Sequence, residues 1–159
     1  MANFSNPRKK FQWRISFASL KGNEFEFQRV TLPDIELDVV EHGEINSPVK
    51  TPGMVHFSNL VCEKLKPNNA NDNALRIWIH SIQNAMLGVG LPIDTAKDSA
   101  TIELVDELGI TTEKHIVDGI WPCKINGLEL DRMSSDNVIE TIEFAVDYYP
   151  GPSGTGGII

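Results

Sequence analysis

The sequence predicts a mainly β protein, an antiparallel β-barrel or sandwich of two packed sheets with one flanking α-helix. Three observations lead to this fold class: six or seven runs alternate apolar and polar side chains, short connections separate these runs, and one segment has helical periodicity instead. Period-two alternation is typical of strands that bury one face. Several short strands of this kind form barrels or sandwiches, and 159 residues suit one domain with one core.

Strands are predicted throughout the chain. In order, the runs are "FQWRISFASL", "EFEFQRV", "DIELDVVEH", "MVHFSNLVCEKL", "ATIELVDEL", "EKHIVDGIWPCKING" and "NVIETIEFAVDYY". In the third run the apolar side chains are Ile35, Leu37 and Val39, and in the last run Ile142 and Phe144 lead the apolar face. Each of these faces is expected to be buried.

Residues 73–87 are predicted to form the single helix. The apolar stripe consists of Leu75, Ile79, Ile82 and Met86, with Trp78 beside it. This spacing places the side chains on one helical face. An Asn or Asp at residues 71–73 can cap the start, and Gly88 can end the helix. We expect the helix to plug one barrel opening or to cover a sheet edge.

An eleven-residue arm, residues 43–53, is predicted as an exposed loop between two strands. It consists of Gly43, Glu44, Ile45, Asn46, Ser47, Pro48, Val49, Lys50, Thr51, Pro52 and Gly53. The two prolines fix φ and reduce the entropy that the arm loses when it docks. Long loops of this kind are either functional or disordered, and the sequence leaves both readings open.

The two ends of the chain differ in composition from the body at residues 11–149. Residues 1–10 form a basic arm with Arg8, Lys9 and Lys10, and residues 150–159 are a Gly- and Pro-rich tail that is expected to form no packed element. No run approaches the roughly 20 apolar residues of a membrane span, and no signal sequence is seen. The chain is therefore expected to start in a cytoplasm and not to insert into a membrane.

Composition and motifs argue against an enzyme, a metal site or a cofactor. The net charge of -8 opposes a surface that grips a phosphate backbone. The four histidines lie in separate segments without metal-ligand spacing, and Gly88 and Gly90 lack a dinucleotide fingerprint and are interpreted as a helix cap. Nucleophile motifs are missing as well.

Acidic side chains on strands allow three interpretations. They are Glu36, Asp38, Glu103, Glu140, Glu143 and Asp147. In the first interpretation they form the solvated faces of strands, and in the second two of them are the carboxylate pair of a hydrolase. In the third they form a negatively charged surface that repels a polyanion such as DNA and lets it pass with little binding. Cys62 and Cys123 are either two buried thiols or a cross-link between subunits.

Two segments carry a resemblance to a known family. "LPDIELDVVEHGEINSPVKTPGMVHFSNLVCEKLKP" and "LDRMSSDNVIETIEFAVDYY" resemble the tail tube proteins of contractile-tailed bacteriophages, and the order of the other parts also fits from about residue 11 to residue 149. The resemblance implies a barrel of two packed sheets that assembles into hexameric rings, which stack into a hollow tube. The resemblance further implies that DNA is ejected through the lumen and that the protein has a structural, non-enzymatic function.

The resemblance also implies partners and places. These are a tail sheath protein and tape measure, baseplate and tail terminator proteins, in a virion tail assembled in the cytoplasm of the bacterial host. The arm at residues 43–53 is then assigned to stacking of one ring on the next, and Arg8, Lys9 and Lys10 to contacts with acidic surface of a neighbouring ring. Glu36, Asp38, Glu143 and Asp147 are candidates for the lumen wall.

Two alternatives stay open. A tube subunit of a contractile injection or secretion system that delivers protein effectors would have the same architecture. A monomeric ligand-binding β-barrel belongs to a different class and predicts a large apolar cavity.

Overall fold

Two antiparallel sheets pack face to face to form the body of the protein in the computed structural model, which describes residues 10–18, 27–43, 48–66, 74–84, 88–90 and 92–154. The described strands are β1 Trp13–Phe17, β2 Phe27–Thr31, β3 Ile35–His42, β4 Val49–Phe57, β5 Leu60–Leu65, β6 Gln83–Asn84, β7 Val89–Gly90, β8 Asp98–Val105, β9 Thr111–Ile125, β10 Ile139–Ala145 and β11 Pro152–Gly154. The helices are α1 Ala74–Ile82 and α2 Ile93–Ala96. The mainly β, antiparallel fold class predicted from alternation is confirmed.

The long strand β9 belongs to both sheets. Its first half pairs with β8 and β11, which together with β1 form sheet A in the order β1-β8-β9-β11. Its second half pairs with β10, and sheet B runs β9-β10-β5-β2. Gly119 lies near the change of sheet with φ of 64°, and a Cβ at this position would overlap the side chain of Asp147. Glycine therefore suits this bend.

Side chains from both sheets meet in one core. Its buried members are Phe17, Leu60, Cys62, Leu75, Ala100, Ile102, Val117, Ile120, Ile142, Phe144 and Tyr149. Helix α1 covers this core with Leu75 and Trp78. The Trp78 ring lies 5.9 Å from the Phe144 ring, and its Nε1 donates a hydrogen bond of 2.9 Å to the carbonyl of Ala96.

The structure corrects several predicted boundaries. The helix ends at Ile82 rather than at residue 87, because Gln83 and Asn84 pair with β7; residues 73 and 85–87 lie outside the described residues. Gly88, with φ of 66°, lies in the turn between β6 and β7 and is not a helix cap. The run predicted over residues 54–65 is divided between β4 and β5 at residues 58–59.

The tail prediction also needs correction. Pro152–Gly154 form strand β11, which pairs with His115, Lys114 and Glu113 of β9, so part of the tail does belong to a sheet. Tyr148 forms an isolated bridge to Asp118 ahead of it. The C-terminal segment therefore follows β9 from sheet B into sheet A. No helix in the described ranges is long and apolar enough to cross a membrane.

Candidate assembly surfaces

Strands β3 and β4 form a two-stranded hairpin separate from both sheets of the body. Ile35 lies opposite Phe57, Leu37 opposite Val55 and His42 opposite Val49. Among the described strands, neither β3 nor β4 pairs with any other. All eight residues of β3 are exposed. A strand pair of this kind is at most marginally stable by itself in water, so the hairpin, residues 35–57, needs a further contact to hold its shape.

The two faces of the hairpin differ in chemistry. One face carries Ile35, Leu37, Val39 and Val55, which are 52%, 53%, 63% and 48% exposed. The other face is largely polar: Glu36 lies opposite His56, and the His56 ring is 2.7 Å from the Asp38 carboxylate. Alternation correctly predicted the two faces of this strand. The expected burial of its apolar face is not found in a single subunit.

The predicted eleven-residue arm is shorter than expected. Val49, Lys50, Thr51, Pro52 and Gly53 belong to strand β4, so the connection between the strands comprises only residues 43–48. Pro52 lies opposite Val39 beside a register shift between Leu37 and Val39. Proline is tolerated there because bulges and edge strands need fewer backbone donors. Of the connection itself, residues 44–47 lie outside the described residues.

The base of the hairpin is attached to the body. The Ser58 hydroxyl accepts a 2.7 Å hydrogen bond from the Asp34 amide, and the Ser58 amide donates to the Asp34 carbonyl at 3.2 Å. The Phe57 ring meets the Tyr148 ring edge-on at 5.9 Å. These contacts fix the point from which the hairpin projects and leave its apolar face exposed.

The four acidic candidates for a lumen wall lie in two places and have basic or histidine neighbours. Glu36 and Asp38 are on the polar face of the hairpin beside His56. Glu143 lies 3.7 Å from Lys124 across sheet B, and Asp147 forms an ion pair with Lys97. Pairing with cations lowers the negative potential that these side chains would create, so a strongly anionic wall does not follow from them.

Glu140 differs from the other acidic residues because it is buried, with 2% of its side chain exposed. Arg76 of helix α1 donates to its carboxylate at 2.9 Å, and the ammonium groups of Lys64 and Lys66 each lie 3.7 Å away. Lys64 is itself 4% exposed. Burial of such charges is costly unless they are paired and hydrogen-bonded. The sequence interpretation missed this cluster, although Glu140 is in phase with the core residues Ile142 and Phe144.

The two cysteines are free thiols in the structure. Cys62 is fully buried, and desolvation raises its pKa to about 12. Cys62 is buried in the core of the subunit, which favours the interpretation as a packing residue; its cross-linking to another subunit stays a prediction. Cys123 is partly buried, donates to the Glu143 carbonyl at 3.3 Å and has a pKa raised mainly by burial. Its cross-linking stays a prediction.

A second buried polar group ties the C-terminal segment to sheet A. His115 contacts the Tyr149 hydroxyl through Nδ1 at 2.6 Å and the Glu113 carboxylate through Nε2 at 2.8 Å. Desolvation raises the pKa of Tyr149, so the phenol stays protonated at neutral pH. Within the described ranges, no group of three His, Cys, Asp or Glu side chains could hold a metal ion. Of the basic N-terminal arm, only Lys10 is described.

Comparisons with known proteins agree with this architecture. The family described as "T4-like virus tail tube protein gp19" matches residues 9–149. No curated protein matches the chain. Among solved structures, the cap of the anti-feeding prophage (AFP tube terminating cap) has a TM-score of 0.79 at 18% identity, covering 98% of this chain and 96% of that one.

Two further structures extend the fold comparison. The sheath-tube complex of an extracellular contractile injection system, PVC, in its extended state gives a TM-score of 0.74 at 22% identity, over 94% of this chain and 93% of that one. Hcp1 from Flavobacterium johnsoniae gives 0.51 at 10% identity, over 91% and 100%. At these identities the structures establish a shared fold. The family match covers nearly the whole chain, and the chain therefore belongs to the T4-like virus tail tube protein gp19 family.

Proposed function

We propose that this chain is the tube subunit of a contractile phage tail, a non-enzymatic structural protein that forms stacked hexameric rings with a hollow lumen. One observation carries the proposal: the hairpin presents an apolar face that nothing in the described part of the subunit covers. An uncovered apolar face on a two-stranded hairpin, which is marginally stable by itself, fits a protein whose native state is an assembly.

The energetics favour docking of the hairpin on a second copy. Burying a whole Val, Leu or Ile side chain contributes about 1.5–3 kcal/mol. The four aliphatic side chains of the apolar face are about half exposed, so each contributes roughly half of that amount when covered. Because every subunit carries the same hairpin, the contribution repeats along the tube. A hairpin that meets a different surface on the next copy gives a heterologous contact, which builds rings or filaments.

The proposal includes stacking of rings through the end of the hairpin. Strand β3 is about 25 Å long at roughly 3.4 Å per residue, and we propose that its far end contacts a neighbouring ring. Glu41 and Lys50 lie 3.9 Å apart near the end of the hairpin, both largely exposed, and their charges are available to a neighbour. Arg8, Lys9 and Lys10 are proposed to meet acidic surface on the ring above or below.

The proposed cargo of the lumen is DNA. The tube is proposed to lie inside a sheath in a virion tail. This tail is assembled in a bacterial cytoplasm with tape measure, baseplate and terminator proteins. The family match favours the phage setting. Solved structures of injection-system tubes share the fold, and a tube that delivers protein effectors is the second candidate. The genes beside this one distinguish the two, since a phage tail tube lies among capsid and terminase genes.

The lumen wall is proposed to include Glu36, Asp38, Glu143 and Asp147. Glu143 is the best test position because its partner Lys124 is known. Replacing Glu143 with Lys in an infectious particle would place two cations side by side and should slow DNA ejection while tubes stay intact. Normal ejection by this variant would remove Glu143 from the lumen wall.

Electron microscopy of the purified chain, combined with sedimentation at several concentrations, tests the proposed function. We expect six-fold rings or hollow tubes, with a larger assembled fraction at higher concentration. A homogeneous monomer at every concentration, alone and with co-expressed sheath and baseplate proteins, would contradict the tube function. It would favour the monomeric ligand-binding barrel.

A further inference from the structure

The chain contains a single Asn-Gly pair, Asn126 and Gly127, directly after strand β9. Residues 126–130 have no regular secondary structure, and the pair opens the connection between β9 and β10 at residues 126–138. Asn126 is half-buried and Gly127 is exposed. Because glycine has no Cβ, its backbone nitrogen can approach a neighbouring group more closely than that of other residues. The side-chain amide carbon of Asn126 lies only a few bonds away along the chain and is an electrophile.

The local geometry leaves both reacting groups free to move. A Cβ added at Gly127 would meet no other atom within 4 Å, so the space around this residue is open. Within the described part of the chain, neither the Asn126 side chain nor the Gly127 amide has a hydrogen-bond partner. The Asn126 backbone N–H donates to the Thr141 carbonyl at 2.9 Å. Asn126 is therefore anchored to β10 through its own amide, while its side chain and the following peptide can rotate into contact.

A second pair with related reactivity is restrained by the fold. Asp118 and Gly119 lie within β9, and an Asp-Gly pair closes the same kind of ring by loss of water. The Asp118 N–H donates to the Tyr148 carbonyl at 2.9 Å, and the Asp118 carbonyl accepts from the Tyr148 amide at 3.2 Å. A Cβ at Gly119 would overlap the side chain of Asp147, so this glycine is closely packed. The structure therefore restrains the pair inside β9 and leaves the pair after β9 unrestrained.

We propose that Asn126 is a site of spontaneous deamidation, in which the Gly127 nitrogen attacks the Asn126 side chain. The nitrogen forms a bond to Cγ of Asn126 and gives up its proton, and the side-chain nitrogen leaves as ammonia. Water then opens the cyclic imide at one of its two carbonyl carbons. Opening at Cγ gives aspartate, and opening at the backbone carbonyl gives isoaspartate, whose main chain runs through the side-chain methylene. This inference is independent of the proposed tube function.

The modification changes the charge and the length of the main chain at the start of the connection. Either product places a carboxylate at residue 126, so the formal net charge becomes one unit more negative than -8. Isoaspartate also adds a methylene to the main chain after the amide that is bonded to Thr141. The connection therefore shifts relative to β9 and β10. Its exposed apolar side chains, Leu130 and Met133, are expected to move with it.

Peptide mapping of the native full-length chain tests this inference. Cleavage after Lys and Arg gives a peptide of residues 125–132, which contains Asn126, and one of residues 115–124, which contains Asp118. The chain is kept in warm, mildly alkaline buffer, and mass spectrometry follows the conversion of amide to acid. An isoaspartate-specific methyltransferase identifies isoaspartate, and a zero-time sample corrects for conversion during digestion. We expect acid and isoaspartate forms of peptide 125–132 to accumulate, while peptide 115–124 keeps its normal aspartate.

Two variants and an unfolded sample provide the controls. Gly127→Ala adds a Cβ where the structure has room, and it should remove most of the acid form without loss of stability. Asn126→Gln should remove all of it, and wild type unfolded in urea should react at both Asp118 and Asn126. An unchanged amide in native wild type, or equal conversion of wild type and Gly127→Ala, would overturn the inference. Native conversion at Asp118 as fast as at Asn126 would overturn the selection by the fold.

Discussion

Strand β10 in the body and strand β3 in the hairpin have the same alternating sequence pattern but differ in burial. In β10 the burial alternates, with Glu140, Ile142 and Phe144 buried. In β3 every residue is exposed, including Ile35 and Val39. Strand β10 thus covers its apolar and charged side chains within the subunit, and strand β3 leaves its apolar side chains exposed. Alternation shows which side chains share a face of a strand. It does not show whether that face is buried by residues of the same chain or by another subunit.

The largest expected difference concerns the buried charge cluster of the body. Glu140→Gln keeps the shape of the side chain but removes the charge shared by Arg76, Lys64 and Lys66. Breaking a buried ion pair from one side costs about 3–5 kcal/mol, so we expect a loss of that order in the free energy of unfolding. Urea denaturation of dilute, monomeric chain measures it.

The control for this prediction is Glu143→Gln, which removes a partly exposed carboxylate 3.7 Å from Lys124. Such pairs contribute about 0–1 kcal/mol, so this variant should unfold close to the wild type. Equal stability of the two variants would show that the Glu140 cluster does not hold helix α1 to sheet B.

A matched pair of leucine truncations compares the two regions next. Leu60 is fully buried in the core, and Leu37 is 53% exposed on the hairpin. Leu60→Ala should cost about 2–5 kcal/mol in the free energy of unfolding of the monomer. Leu37→Ala should change it by no more than about 0.5 kcal/mol but should weaken tube assembly. A large loss of monomer stability in Leu37→Ala would mean that the hairpin packs on its own subunit.

The smallest expected effect is a pH dependence. A hydrogen bond from Arg14 is the main cause of the lowered pKa of Glu103. A carboxylate with a lowered folded pKa adds stability above its unfolded pKa, and this stability is lost as the pH falls through the folded value. Arg14→Met should therefore be slightly less stable than the wild type at neutral pH, by less than about 1 kcal/mol. The difference should shrink in acid.

The corresponding hairpin pair serves as control. Glu41 and Lys50 are 3.9 Å apart and both more than 60% exposed, and exposed pairs of this kind often contribute nothing measurable. Lys50→Met should show no pH-dependent difference from the wild type in urea unfolding of the monomer. A larger pH effect at Lys50 than at Arg14 would reverse the comparison.

Sequence reasoning predicted much of the fold because strand and helix periods are local properties. It found the long strands apart from the first half of β4 and found the helix around Trp78, and the resemblance identified the family. It could not find the Glu140 cluster, since three partners converge there from β5, its end and helix α1. It also made the arm too long: Pro52 and Gly53 suggested a loop, but a register shift accommodates both in strand β4.

The most direct test of docking by the hairpin replaces Val39 and Val40 in turn with Asp. These neighbours are the same residue type, 63% and 42% exposed, and they lie on opposite faces of β3. Electron microscopy and sedimentation of the two variants should show tubes for Val40→Asp and only unassembled subunits for Val39→Asp. Tubes of equal yield and length from both variants would contradict assembly through the apolar face.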